Sequence, residues 1–336
     1  MPTRHPTSSS PSTPRSRTRL LAALLLAAAP AGLALAAAAP AEAQTADDLA
    51  LALDGLGFRE MGPATMGGRV ADIAGVESRP STFYVGFGSG GVWKTESHGR
   101  AWTPVFDDQP TASIGAVAVA PSNPNAVWVG TGEPQNRQSS PYGGGVFRSL
   151  DAGRTWEPVG LEETRHVGRI VIHPRDPAVV YVAAVGHLWG PNEERGVYRT
   201  TDGGETWEKV LYLDENTGAI DLVMDRNDPR TLFAAMYQRR RTPWGFSASG
   251  PGSGLYRTLD GGDTWTELRD GLPGGDLGRI GLDVYRRDGS LVYAVVESSG
   301  AGRGLYRSTD RGDTWEKVSG RNPRPMYFSL VRIDPN

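Results

Sequence analysis

The chain of 336 residues contains no cysteine. That excludes disulfide staples and thiolate metal sites, so stability has to come from packing. Its five histidines (His5, His98, His166, His173 and His187) show no metal-ligand spacing, and neither a metal nor a cofactor is implied. Long helical periodicity is nearly missing. Short apolar runs are broken instead by Gly, Pro, Asn and Asp, with 44 glycines and 25 prolines, which is an all-β pattern. No Gly-x-Ser-x-Gly elbow is present. Gly143-Gly144-Gly145 leads into a strand rather than a helix, so it is not a phosphate loop. A formal net charge of −3 supplies no global field for nucleic acid, and no nucleic-acid partner is expected.

The N-terminus reads as a targeting segment. Arg15, Arg17 and Arg19 precede an apolar stretch from Leu20 to Ala39, and Ala41-Glu42-Ala43 offers a small-x-small cleavage site before Gln44. A membrane anchor is the rival reading, since about twenty apolar residues can span a bilayer. The alanine-rich composition, Pro30 and the cleavage pattern favour a signal peptide over residues 1–43. The expectation is a secreted or periplasmic protein with no stable membrane insertion after cleavage. Residues 44–57 suit a short helix or linker, capped by Thr45 and ended by Gly55.

From residue 58 onward the chain repeats. Ser149-Leu150-Asp151-Ala152-Gly153-Arg154-Thr155-Trp156 has the form Ser/Thr-x-Asp-x-Gly-x-Thr-Trp, and copies run from Thr200 to Trp207, Thr258 to Trp265 and Ser308 to Trp315. A decayed copy from Thr95 to Trp102 has Ser97 where the aspartate belongs. The aspartate-to-aspartate steps are 51, 58 and 50 residues, with 54 from Ser97 to Asp151, so the architecture is a repeat. Within one unit, strands are expected over 169–173, 179–184, 196–200 and 206–211. Four strands per unit make one propeller blade, and the other units parse in the same way. The fold class is therefore an all-β propeller of four-stranded blades occupying 58–336, with five blades and the start of a sixth at Met326. The last unit stops within its first turn at Asp334-Pro335-Asn336, which is the expectation for a piece of a larger ring.

In this reading the boxes are structural. Asp151, Asp202, Asp260 and Asp310 accept backbone N–H bonds within tight turns. The glycine supplies positive φ. Trp156, Trp207, Trp265 and Trp315 fill the space between neighbouring blades. These residues resemble the Asp-box, or BNR, repeat of sialidases, oligoxyloglucan-type glycoside hydrolases and the sortilin/Vps10 ectodomain. Large exported bacterial proteins described as sortilin-like or BNR glycosyl hydrolases are similar beyond the boxes, at Val129-Gly130-Thr131-Gly132-Glu133, at Gly186-His187-Leu188-Trp189-Gly190 and at Met61-Gly62-Pro63 through Gly68-Arg69-Val70. The resemblance implies a propeller and says little about activity. The sialidase Arg-Ile-Pro opening is missing; Phe58-Arg59-Glu60-Met61 stands in its place.

Blade geometry puts the boxes on one face and the long second-to-third-strand loops on the other, where function is expected. Those loops hold Glu133, Arg137 and Tyr142 in the second unit. The third holds His187, Trp189, Glu193 and Glu194, and the fourth Arg239, Arg240, Arg241 and Trp244. Arg69, Arg169 and Arg279 each follow a glycine at an innermost-strand start, and together could form a cationic mouth for a carboxylate or phosphate. The alternative is that each pairs with a neighbouring carboxylate or carbonyl. Glu133 with Glu194 is the candidate acid/base pair for glycoside hydrolysis, with a salt bridge from Glu133 to Arg137 as its structural alternative. Tyr142, Trp189 and Trp244 lie outside the boxes and could stack on sugar rings or peptide side chains. Two functions remain open: a binding module for a protein, peptide or glycan ligand, and a BNR-type glycoside hydrolase.

Overall fold

The computed structural model describes residues 68–137 and 140–336. The expected signal peptide, the 44–57 helix and the first ten residues of the expected propeller lie outside them. Strands β1 (Val70–Gly75), β2 (Phe83–Phe87), β3 (Val92–Thr95) and β4 (Thr103–Pro104) make the first antiparallel sheet. The second holds β5 (Ile114–Ala120), β6 (Asn123–Thr131), β7 (Val146–Ser149) and β8 (Glu157–Pro158). The third holds β9 (Val167–Ile172), β10 (Val180–Ala184), β11 (Gly196–Thr200) and β12 (Glu208–Leu211). In the fourth, β13 (Thr217–Met224), β14 (Leu232–Gln238), β17 (Gly254–Thr258) and β18 (Thr266–Leu268) enclose a hairpin of β15 (Arg240–Thr242) and β16 (Gly245–Ser247). The fifth holds β19 (Leu277–Val284), β20 (Val292–Ser298), β21 (Gly304–Ser308) and β22 (Glu316–Ser319). The molecule is a β-propeller, and the expected strands agree with the observed ones to within a few residues. The β15–β16 hairpin was unforeseen, because its strands are three residues long and rich in arginine. No helix among the described residues is long and apolar enough to cross a membrane.

The core lies between blades rather than at a centre. Alternate residues of a strand face opposite neighbours. Val180, Val182 and Ala184 of β10 pack toward the second blade, while Tyr181 and Ala183 pack toward the fourth. Both faces of the strand are buried, which is why the middle strands read as continuous apolar runs. Innermost strands approach one another backbone to backbone. A Cβ added at Gly115 would lie 2.1 Å from the Val167 carbonyl oxygen, and one at Gly168 would lie 2.3 Å from that of Ile220.

An aspartate staples several of these contacts. Asp72 Oδ1 accepts the N–H of Ile73, and Oδ2 accepts that of Val117 in the next blade, at 3.0 and 3.2 Å. Asp221 does the same for Leu222 and Leu282, at 3.0 and 2.9 Å. Asp283 takes Val284 at 3.2 Å and then Ile333 at 2.7 Å, so the segment 329–333 lies where a next innermost strand would. The strand expected from Met326 is replaced at its start by a one-turn helix, α1 (Pro325–Phe328). The segment after it has no second strand to pair with among the described residues, so it holds its position without a ladder.

Each box is a closed hydrogen-bonded turn. Asp151 Oδ1 accepts Ser149 Oγ and the N–H groups of Arg154 and Thr155, and Oδ2 accepts Thr155 Oγ1, all within 2.9 Å. These donors hold the carboxyl down at about 2. Two successive residues follow in left-handed conformation: Gly203 and Gly204, Gly261 and Gly262, but Ala152 and Gly153, and Arg311 and Gly312. The tryptophans reach back to the preceding blade. Trp156 Nε1 donates to Val105 O at 2.5 Å and Trp207 Nε1 to Val159 O at 2.6 Å. Trp265 and Trp315 instead donate within their own boxes, to Gly262 O at 3.1 Å and Gly312 O at 3.0 Å, while their rings join the clusters that hold Val210 and Leu268 of the preceding blades. In the second, third and fourth blades an arginine on the third strand reaches forward: Arg148 to Gly203 O, Arg199 to Gly261 O and Arg257 to Arg311 O.

Candidate functional site

The innermost strands β1, β5, β9, β13 and β19 surround a channel of about 800 Å³. At its box-side end, Glu77 of the first blade accepts from Arg226 of the fourth and from Arg286 of the fifth. Further in, Arg169 spans the channel. Its Nε donates to Asp221 Oδ1 at 2.9 Å and its Nη1 to Asp72 Oδ1 at 3.2 Å. The two carboxylates hold this guanidinium firmly charged despite its burial.

At the opposite end, Glu133 follows Gly132, whose φ of 86° turns the chain inward after β6. The Glu133 N–H is held by Ser113 Oγ at 3.0 Å and by Pro141 O at 3.1 Å. Its carboxylate, 1% exposed, receives Arg69 in two-pronged fashion: Nε to Oε1 at 2.8 Å and Nη2 to Oε2 at 2.6 Å. Residues 134–136 beyond it are buried. Asn136 Nδ2 donates to Tyr237 Oη at 2.6 Å and to Met326 O at 2.9 Å. Arg239 Nη1 donates to Pro134 O at 2.9 Å and to Asn136 Oδ1 at 2.8 Å. A loop of the second blade is thus tied across the channel mouth to the fourth blade and to α1.

This arrangement corrects two sequence-based expectations. Arg69, Arg169 and Arg279 do not make an open cationic mouth: the first two are spent on carboxylates, and Arg279 is buried. Glu133 pairs with Arg69 rather than Arg137, whose N–H is held by Ser140 Oγ at 2.9 Å. Glu194 is exposed and makes no hydrogen bond or ion pair among the described residues, so contact does not link it to Glu133. Sequence spacing could not show these pairings, because Arg69 and Glu133 lie 64 residues apart and Arg169 and Asp72 lie 97 apart. The aspartates inside innermost strands, Asp72 and Asp221, were the missed signal, since aspartate is depleted in strands unless it has a task.

The exposed aromatics lie on neighbouring loops. Trp189 is 58% exposed, and Trp244, at the tip of the β15–β16 hairpin, is 87% exposed. The two loops are joined where the Arg241 N–H donates to Leu188 O at 2.8 Å. The Arg241 guanidinium sits 4.6 Å from the Phe246 ring centre and steadies the hairpin. His187 holds the Trp189 loop at its base, with its N–H on Asn192 Oδ1 at 2.9 Å and Nε2 3.1 Å from Glu163 O. Burial lowers the His187 pKa. Tyr142 stands apart, over the Arg165 guanidinium at 5.2 Å, beside a cleft of about 520 Å³ between first- and second-blade loops. Among the described residues no cluster of His, Asp or Glu could hold a metal ion.

Comparison with known proteins agrees with this architecture. Residues 144–278 match the family model for sortilin, neurotensin receptor 3 (Sortilin-Vps10). A xyloglucanase from a Paenibacillus species is 27% identical over 253 residues, covering 67% of this chain and 23% of the relative. Xyloglucanase Xgh74A of Acetivibrio thermocellus is 25% identical over 250 residues, covering 64% of this chain and 27% of the relative. The chain therefore spans about a quarter of the length of these curated relatives. The crystal structure of the Niastella koreensis GH74 enzyme superposes with a TM-score of 0.56 at 21% identity, covering 74% of this chain and 38% of the other. An ancestral GH74 enzyme gives 0.58 at 21%, covering 74% and 33%. The chain resembles both the sortilin-like and the GH74 propellers.

Proposed function

We propose that this propeller binds a glycan of the xyloglucan type on its long-loop face, with Trp189 and Trp244 as the stacking surface. One observation carries the proposal: two indoles that the fold does not bury stand on adjacent loops fastened to each other. Exposed tryptophans burden a soluble protein unless a ligand covers them, and flat indole faces suit the apolar faces of sugar rings. The relatives named xyloglucanases support the substrate class. Binding to xyloglucan by affinity electrophoresis should weaken at least tenfold in Trp244→Ala and in Trp189→Ala. Unchanged mobility in both variants rejects this surface. The proposal also takes the protein as exported, which N-terminal sequencing of the mature protein would test at Gln44.

The relatives' names also support a second reading, hydrolysis of the bound glycan with Glu133 and Glu194 as the acid/base pair. It requires Glu133 to leave the Arg69 guanidinium that now occupies both its oxygens. Release of new reducing ends from xyloglucan, lost in Glu133→Gln with binding retained, would establish it. Binding without any release leaves the module as a binder.

A further inference from the structure

Three arginines are sealed inside the long-loop half of the molecule, and the fold treats them differently. Arg195 is fully buried and structural. Its Nη1 donates to Val185 O at 2.9 Å and its Nη2 to His187 O at 2.6 Å and Gly190 O at 2.8 Å, which shapes the Trp189 loop. Arg239, 1% exposed, is served only on Nη1; its Nε and Nη2 have no partner. Arg279, 3% exposed, has no partner for Nε or Nη1. Neither Arg239 nor Arg279 forms an ion pair among the described residues. Glu297, the carboxylate nearest in the sheet, spends Oε2 on the Arg279 backbone N–H at 2.9 Å instead of on its guanidinium.

Arg239 and Arg279 belong together. Arg239 follows the end of β14 and Arg279 sits at the start of β19, and these strands pack against each other through Tyr237 and Ile280. Burial, and with it the charge of Arg279, drives Arg239 down to about 9. Tyr237, held neutral by burial, supplies no counter-charge. Burying one unpaired cation is costly, and two that repel are costlier still. Glu133 acts on Arg239, and Asp221 and Glu297 act on Arg279, through space only; none of these carboxylates hydrogen-bonds the four unanswered guanidinium nitrogens.

We infer that Arg239 and Arg279 form a buried receptor for a single carboxylate group, roofed by the Asn136 loop and α1. Two planar guanidinium forks match the two oxygens of a carboxylate. The apolar surroundings of Leu277, Ile280 and Val185 favour a monoanion over a doubly charged phosphate, whose dehydration costs more. Among the described residues the Asn136 Nδ2–Met326 O hydrogen bond joins the two parts of this roof. The carboxylate could belong to a small free acid or to an acidic sugar, so both serve as probes. This site does not depend on the Trp189–Trp244 surface.

The test uses the full chain at pH 7 and constant ionic strength, following the thermal midpoint in sodium chloride, acetate, glucuronate and phosphate. The inference expects a saturable rise in acetate over chloride, lost in Arg279→Met, because ligand bound only to the folded state stabilises it. A rise in glucuronate as well identifies an acidic sugar as a competent source; a rise in acetate alone identifies the small acid. No acetate-specific rise, a rise that survives Arg279→Met, or an equal or larger rise in phosphate overturns it. If Arg279→Met does not fold, Arg279→Lys keeps the charge and loses the fork, and acetate affinity measured by carbon-13 acetate relaxation must fall at least tenfold. Undiminished affinity in that variant also overturns the inference.

Discussion

Arg69 and Glu133 meet in a two-pronged pair that joins the first blade to the second, with the carboxylate fully enclosed and the guanidinium about a third exposed. Removing the cation strands a buried anion, which typically costs about 3 to 5 kcal/mol in a dry site. Because Arg69 stays partly in water, the expectation for Arg69→Ala is lower, about 2 to 3 kcal/mol by urea unfolding. Arg69→Met/Glu133→Leu together should recover much of that loss. A double variant no more stable than Arg69→Ala would show that the pair is not what holds this junction.

Gly168 faces the Ile220 carbonyl so closely that a methyl group would sit 2.3 Å from its oxygen. Neither backbone can retreat without breaking its own ladder. Gly168→Ala should therefore destabilise by about 1 to 3 kcal/mol, the range for overpacking. The denaturant midpoint reads this directly. A neutral substitution would mean that the third and fourth blades can slide apart at no cost.

Ala152 and Arg311 hold left-handed conformations, with φ of 61° and 60°, at the box position where two other blades use Gly203 and Gly261. Their side chains gain little there. Ala152→Gly and Arg311→Gly should each raise stability by about 0.5 to 1 kcal/mol by relieving the Cβ clash, despite the larger entropy of glycine in the unfolded chain. Calorimetric midpoints that drop in both variants would contradict this.

His166 is buried beside Arg239 and Arg195. Its Nδ1 lies 3.0 Å from Gly186 O, its Nε2 has no partner, and its pKa falls to about 3, chiefly through burial. The folded ring is neutral while the unfolded one takes up a proton near pH 6.5. Stability from this residue is complete above pH 6.5 and declines as pH falls toward 3, by at most about 1.4 kcal/mol per pH unit. His166→Asn should flatten the difference in urea midpoint between pH 7 and pH 4.5. Parallel curves for the two proteins would remove His166 from the acid response.

The fold was legible because its signals are local. A box fits in eight residues, its glycine and aspartate have a turn to make, and strand alternation repeats every two residues. The spacing of Asp151, Asp202, Asp260 and Asp310 set the blade register. The site was legible only in part. The sequence indicated the face and the exposed Trp189 and Trp244. It did not indicate that Asn136 folds back over the channel, because that depends on Tyr237, Arg239 and Met326, the nearest of them 101 residues away. Nor did it separate Arg195, whose Nη1 and Nη2 both find backbone carbonyls, from Arg279, whose Nη1 finds none. The difference lies in three-dimensional surroundings that composition does not record.

Blades that touch only their neighbours form a linear array, and such arrays can melt from the ends one unit at a time. Arg169 works against that. By binding Asp72 in the first blade and Asp221 in the fourth, it links units that share no packed face. Glu77, bound to Arg226 and Arg286, adds a second such link. The first blade cannot peel away without stripping the enclosed Arg169 of Asp72 and breaking the half-exposed pairs of Glu77 with the fourth and fifth blades. These cross-channel pairs bind the array into one cooperative transition, so that every blade shares the fate of the others.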